Sequence, residues 1–383
     1  MQASQLESYY VNFYLAINVG SLLGTTLVPV LAQLNFSVAY TLPACALGLG
    51  LLVFVLGSKR YVRRPPEKAA LFTTFKLLGR QLVCKPFEAS KTSNGGDIHD
   101  SFVDGVKRLI LVIPISLLIL PFIIAYSQMS TIFVLQGESM RKEGLLDASL
   151  MQSFDPISVL IAGVLVGSFL YPALSKRGIR IPLTYKFAIG TAFGSLALAA
   201  AIVVDHSIRS QYNKNGSQIS ILWQAFSYVL VGFGEIFAIA SCLEAAFSIA
   251  PKEQKGLASA MNQFLSLGLA SFICVAMNNA CSSWFPQESD AASRTEMYAE
   301  SEMGKFLLVP FGITVFGVLV NVFPPIKNWA ESLHQNAIEA AATVASSNLE
   351  LEDESEVTNS EDEDPESESA DRLEDISLGS TAN

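Results

Sequence analysis

The feature that most constrains this chain is a set of long stretches without a single charged residue. Phe36 to Gly57 is one, and Leu109 to Gly137, Phe187 to Val204, Ile219 to Gly234 and Leu257 to Gln287 are others. An α-helix rises about 1.5 Å per residue, so roughly 20 apolar residues cross the ~30 Å hydrocarbon core of a bilayer. A single water-soluble core has no use for so many runs of that length. With 51% hydrophobic and only 16% charged residues, the chain reads as an all-α integral membrane protein. Eight spans are predicted, at about 10–33, 36–57, 106–136, 146–174, 181–204, 220–250, 257–280 and 304–327.

Charge is distributed unevenly. The net charge is −10, but fourteen acidic residues against one arginine from Asn348 onward put −13 of it in the tail, leaving +3 for the rest. The tail, 328–383, is rich in Glu, Asp and Ser from about Ser346 and poor in large apolar residues, so disorder is expected there. Ser360, before Glu361-Asp362-Glu363, is a phosphorylation candidate. Three basic segments, SKRYVRRPPEK at 58–68, SKRGIR at 175–180 and PKEQKG at 251–256, fall on one side if the helices alternate. By the positive-inside rule that side is cytoplasmic, and both termini lie there too. The sequon at Asn215 falls on the opposite side and is a glycosylation candidate. No cleavable signal peptide is visible. The plasma membrane is favoured over a vacuolar or lysosomal one.

The chain divides into two spans (1–57), a basic linker (58–105), a six-helix bundle (106–327) and the tail. Within the linker, Leu71, Phe75, Leu78 and Leu82 recur at 4, 3, 4 spacing with Lys68, Lys76, Arg80 and Lys85 between them. This pattern suits a helix lying on the inner leaflet or packed on the bundle. Cys45, Cys84, Cys242, Cys274 and Cys281 have no metal-site spacing and read as small buried hydrophobes.

Polar groups inside spans are costly and mark functional candidates. Asn18 can donate and accept, which suits a peptide bond or a carboxylate; a helix–helix hydrogen bond beside the small residues Gly20 and Gly24 is the structural alternative. Glu235 lies mid-span. Desolvation disfavours a buried carboxylate and a nearby cation favours it, so a group balanced between the two can take up and release a proton. Glu244, nine residues on, faces nearly the other way and is expected to reach the interface or guard the inner end. Asp155, followed by Pro156, suits either a substrate cavity or a helix cap. Gly163-x-x-x-Gly167 is a weak helix-packing signal. His99, His206 and His334 all fall outside the spans. No phosphate-cradling P-loop and no H-E-x-x-H metal site occurs, so no cofactor or metal is called for, and nucleic acid is not an expected partner. An enzyme is the least favoured class.

FYLAINVGSLLG (13–24) matches F-Y-x-x-I-N-x-G-S-L, the fifth-helix signature of the proton-coupled oligopeptide transporter family. GSKRYVRRPP follows where that family's sixth helix ends. YSQMSTIFVLQG (126–137), SFDPISV (153–159) and GEIFAIASCLEAAFSIAP (234–251) resemble its seventh, eighth and tenth helices. The resemblance covers about residues 8–327. It implies the major facilitator fold, here as helices five to twelve of the usual twelve, hence an N-terminally incomplete chain. The first-helix E-x-x-E-R and the fourth-helix Lys of the family are not found. The resemblance also implies alternating access and proton-gradient-driven symport of di- and tripeptides. It assigns substrate contacts to Asn18, Asp155 and Glu235 and proton coupling to Glu235. Ile123 stands where peptide carriers often have Trp, which leaves a carrier of nitrate or another small solute as an alternative. The histidine that nitrate carriers can use on the seventh helix is absent. A non-transporting regulator or sensor, partnered by a full-length relative, is the third reading. The lipid bilayer and protons are expected partners throughout.

Overall fold

The computed structural model describes residues 3–61, 70–82, 87–250, 254–287, 293–333, 335, 336 and 339. Among these, eight helical segments are long and apolar enough to cross a membrane, the number predicted. Cys84, His334, Ser360 and the acidic tail lie outside the described residues.

α1 (Ala3–Leu34) and α2 (Phe36–Leu56) form a hairpin. Asn35 makes the reversal: its backbone is extended, and its side-chain oxygen accepts from the amides of Ser37 and Val38 at 2.9 and 3.3 Å. That caps orphan donors at the start of α2. Ala39 is the one buried residue of α2, so this helix presents its apolar side chains outward.

The linker helix packs through Leu77. α3 (Ala70–Leu82) and α4 (Asp100–Ile110) enclose a small core of Leu77, Ile98, Val103 and Val106, with Phe87 and Phe102 against it. Phe75, a member of the stripe, is exposed beside Phe72. Lys76 and Arg80 both reach Asp97, at 2.7 Å each, so the linker's own acid engages these bases. The Arg80 guanidinium, and then Lys76, hold the Asp97 carboxyl well below the usual carboxylate range.

The third span is broken twice. It comprises α5 (Val112–Leu118), α6 (Leu120–Ser127) and α7 (Ile132–Glu138), and its spanning part begins at Leu120 rather than at 106. Pro114 and Pro121 lack the amide a continuous helix needs. The fourth span runs through α8 (Phe154–Val164) and α9 (Tyr171–Lys176), joined by a wider i→i+5 turn at Leu165–Leu170 just before Pro172. The fifth is α10 (Leu183–Asn215), of 33 residues, about 50 Å long by helix rise. It therefore continues eleven residues past the predicted end at 204 and takes in His206, which is exposed on its outer turns. The polar sequence DHSIRSQYNKN continues the helix because its apolar face persists at Val204 and Ile208. Asn215 is its exposed last residue, and Gly216, at φ 62°, ends it. α11 (Ala225–Ile249) is the sixth span, α12 (Lys255–Gln263) and α13 (Leu269–Ala280) make the seventh, and α15 (Met303–Val322) is the eighth, after the short α14 (Arg294–Glu300). Residues 324–333 are again helical.

α10 and α11 form the densest contact of the bundle, through glycine. A Cβ on Gly190 would sit 2.7 Å from the Ala238 Cβ and 2.8 Å from the Gly234 oxygen; one on Gly234 would sit 2.8 Å from the Gly190 oxygen. In lipid, where no hydrophobic force joins helices, such small-residue contacts let backbones meet. At the end of the bundle away from the basic 175–180 loop, Arg209 grips Asp205 (2.9 Å) one turn back, and donates to the carbonyls of Ala299 (2.8 Å) and Ser301.

Two outcomes test this account. Gly190→Val forces backbone against backbone and is expected to cost about 1–3 kcal/mol, read as a lower melting temperature in detergent; Gly312→Ala, with open space around it, should be neutral. Because the Asp97 carboxyl is depressed in the fold, its contribution is complete above the ordinary aspartate value of about 3.9 and is lost as pH falls below it. Amide exchange in α3 should quicken under acid in the wild type, and Asp97→Asn should remove that dependence.

Candidate functional site

The sequence Gly232-Phe233-Gly234-Glu235 explains how a carboxylate comes to sit in the middle of the bundle. Each glycine admits a neighbour. A Cβ at Gly232 would strike the Ser158 hydroxyl and come within 3.0 Å of the Asp155 carboxyl, so α8 presses against this turn. A Cβ at Gly234 would lie 2.6 Å from the Phe122 ring, which places α6 there beside α10. Three helices thus close around Glu235, which is 1% exposed.

Asp155 is buried at the start of α8 and neighbours Glu235 closely enough for the two carboxyl groups to interact. It lies in the helix's first turn; its backbone oxygen accepts from Ser158 Oγ at 2.7 Å, and its Oδ1 has no hydrogen-bond partner. Pro156 lies in the same first turn, where amides have no helical partner in any case, so it does not weaken the helix.

Across the bundle, the Tyr14 hydroxyl of α1 donates to Glu235 Oε2. Asn18 is buried, but its Nδ2 donates to the Tyr14 carbonyl one turn back, at 2.9 Å. Its Nδ2 is thus engaged on its own helix, and Gly20 and Gly24 have nothing within 4 Å; the close packing expected there is not seen among the described residues. The structure brings Asp155 and Glu235 together, with Asn18 one turn from the tyrosine that reaches Glu235. Tyr126 of α6 and Tyr228 of α11 complete the surround, and Tyr228 Oη donates to the Met129 carbonyl at 3.3 Å, in the break between α6 and α7.

Sequence reasoning missed these tyrosines, although a signal existed. Tyr14 and Asn18 stand four apart on one helix, and Tyr228 and Glu235 seven apart, the spacings that share a helix face. It also missed Lys186 of α10, whose Nζ lies 3.9 Å from Glu244 and 5.2 Å from the centre of the Tyr171 ring. Glu244 thus pairs within the bundle, about 13 Å along α11 from Glu235, rather than simply reaching for the interface. Of the predicted helix-packing glycines, Gly163 does pack, directly against Leu15 of α1. Cys242 and Cys274 are buried as expected, but Cys45 is exposed because α2 faces outward. Among the described residues no group of three His, Cys, Asp or Glu side chains is disposed to hold a metal ion.

An eight-span helical bundle with broken helices and a buried carboxyl pair at its centre defines a multi-pass integral membrane protein. The POT family profile matches residues 1–287, and the chain belongs to the POT family. It is 29% identical over 263 residues to the peptide transporter PTR2 of Saccharomyces cerevisiae, covering 65% of this chain and 43% of that one. It is 23% identical to the NRT1/PTR FAMILY 7.2 protein of Arabidopsis thaliana, covering 76% of this chain and 62% of the plant protein. An auto-inhibited POT family peptide transporter superposes with a TM-score of 0.60 at 23% identity, over 87% of this chain and 70% of that one. The major facilitator fold is thereby shown, and the chain spans about half the length of the curated peptide transporters it matches.

The Tyr14 hydroxyl is the donor on which the Glu235 contact depends. Tyr14→Phe strands a buried acceptor and is expected to cost about 1–3 kcal/mol, seen as a lower melting temperature with unchanged helicity; Tyr40→Phe, at an exposed ring, should change nothing.

Proposed function

We propose that this chain serves proton-coupled symport of small peptides, as the C-terminal part of a carrier or as a chain that works with a partner supplying the opposite face. The observation that carries this reading is the buried Glu235, held by Tyr14 of α1 from one side and neighboured by Asp155 of α8 from the other. A carboxylate buried where helices meet needs a cation or a proton to offset its charge. A peptide N-terminus supplies the first, and a proton gradient, with no other cofactor, supplies the second.

In this scheme the peptide ammonium docks at Glu235, and Asp155 lines the same place. Asn18 contributes through the turn that carries Tyr14. Protonation of Glu235 loosens its hold on the peptide, and because Tyr14 and Glu235 sit on different helices, the same event loosens the α1–α11 contact. This links a proton to relative motion of helices, as alternating access requires. The two-acid site disfavours an anion such as nitrate, which fits the peptide reading better than its alternative.

The test is uptake of labelled dialanine, alone and in competition with nitrate, in yeast lacking its own peptide carriers, with this chain expressed alone and joined to the N-terminal half of a relative. Dialanine should be accumulated in acid medium and nitrate should not compete. Glu235→Gln should abolish proton-driven accumulation but spare exchange of internal for external peptide; pH-dependent accumulation that survives the substitution sinks the coupling role.

A further inference from the structure

Two buried acids stand side by side at the centre of this bundle, and their hydrogen bonds do not add up. Asp155 is 9% exposed and Glu235 1%. Tyr14 satisfies Glu235 Oε2. Glu235 Oε1 and Asp155 Oδ1 are both buried with no hydrogen-bond partner. The Ser158 hydroxyl is turned to the Asp155 backbone oxygen, not to its carboxyl. An ionised carboxylate only accepts, so each acid keeps a bare acceptor oxygen, and neither can donate to the other unless a proton lies between them.

Among the described residues, the ionisable groups recorded around the pair are tyrosines. α1 offers Tyr14, committed to Glu235. α6 offers Tyr126, and α11 itself offers Tyr228, which donates to the Met129 carbonyl. α10 approaches through Gly190, which has no side chain to offer. Its Lys186 lies toward the end of the bundle near Glu244. No cation among the described residues is recorded against either acid. Two like charges in contact and out of water cannot both persist, and an acid pair of this kind titrates as a unit.

We propose that Asp155 and Glu235 form a carboxyl dyad that holds one proton between them when the site is empty. Asp155 is then a full member of the proton site, not only a lining residue. The step balances: the dyad carries one proton and one negative charge, uptake of a second proton neutralises it, and loss of the first leaves two carboxylates. No covalent bond other than O–H is made or broken.

The experiment is infrared difference spectroscopy on the purified full chain in lipid nanodiscs at neutral pH, using the deuterium-sensitive carbonyl stretch of a protonated carboxyl group. The wild type should show one such band from the dyad, and Asp155→Asn and Glu235→Gln should each abolish it, while Asp155→Glu restores it. A band that survives Asp155→Asn puts the proton on Glu235 alone and overturns the dyad. So does the lack of any such band in the wild type, which is independent of whether a variant folds.

Discussion

A bilayer offers no water to a backbone carbonyl, and the rest of this structure follows from that. Each unpaired backbone group in hydrocarbon costs several kcal/mol, so spans must be helical and every interruption must be repaired from within. The third span shows the repair. Where α5 gives way to α6, Asn321 of α15 donates to the Leu118 carbonyl at 3.1 Å, while Gly317, one turn earlier on α15, gives Pro121 room. Where α6 gives way to α7, Tyr228 covers the Met129 carbonyl and Gln224 donates to the Phe133 carbonyl at 2.6 Å. Gln136 crosses to the Ala201 carbonyl of α10 at 3.0 Å. Amides and a phenol on neighbouring helices thus make broken helices tolerable in lipid.

The same constraint locates the site. Helices that must satisfy one another's backbone have to come close, and glycine is what permits closeness. Gly190, Gly232 and Gly234 bring α6, α8, α10 and α11 around one point, and Glu235 stands at that point. A carboxylate elsewhere on α11 would have fewer walls. Glu244, two and a half turns on, shows the contrast: it meets a lysine and behaves as half of an ion pair, whereas Glu235 meets another acid.

Much of the fold was legible because lipid demands uninterrupted apolar length, and the runs from Phe36 to Gln287 display it openly. The breaks were not legible at residue resolution. A proline can bend a helix, end it or sit harmlessly in its first turn, and Pro121, Pro172 and Pro156 each did something different according to what packed nearby. The extension of α10 past Val204 hid behind polar residues, because the face that buries Ile208 is narrow. In the site, residue type identified Asp155 and Glu235, but no local pattern said that they would meet, since they are eighty positions apart and joined only by the α8–α11 packing. Asn18 is the reverse case. Its motif marked it, and the structure gives the reaching role to the tyrosine one turn before it. In the linker, the 4, 3, 4 spacing found a helix; Phe75, the one stripe member whose side chain is described, is exposed, and the core is built on Leu77 and Ile98.

The length of α10 has a mechanical consequence. From the Gly190–Gly234 crossing to Asn215 is 25 residues of unbroken helix, about 37 Å. The segment beyond Val204 is stiffened by the Arg209 clasp on α14. A rod pivoting at its glycine contact multiplies angle into distance: a tilt of about 10° at the site would carry the tip through roughly 6 Å at that helix length. Rearrangement among buried acids at the bundle's centre is therefore written large at its rim, like the needle of a gauge, on a residue that solvent can reach.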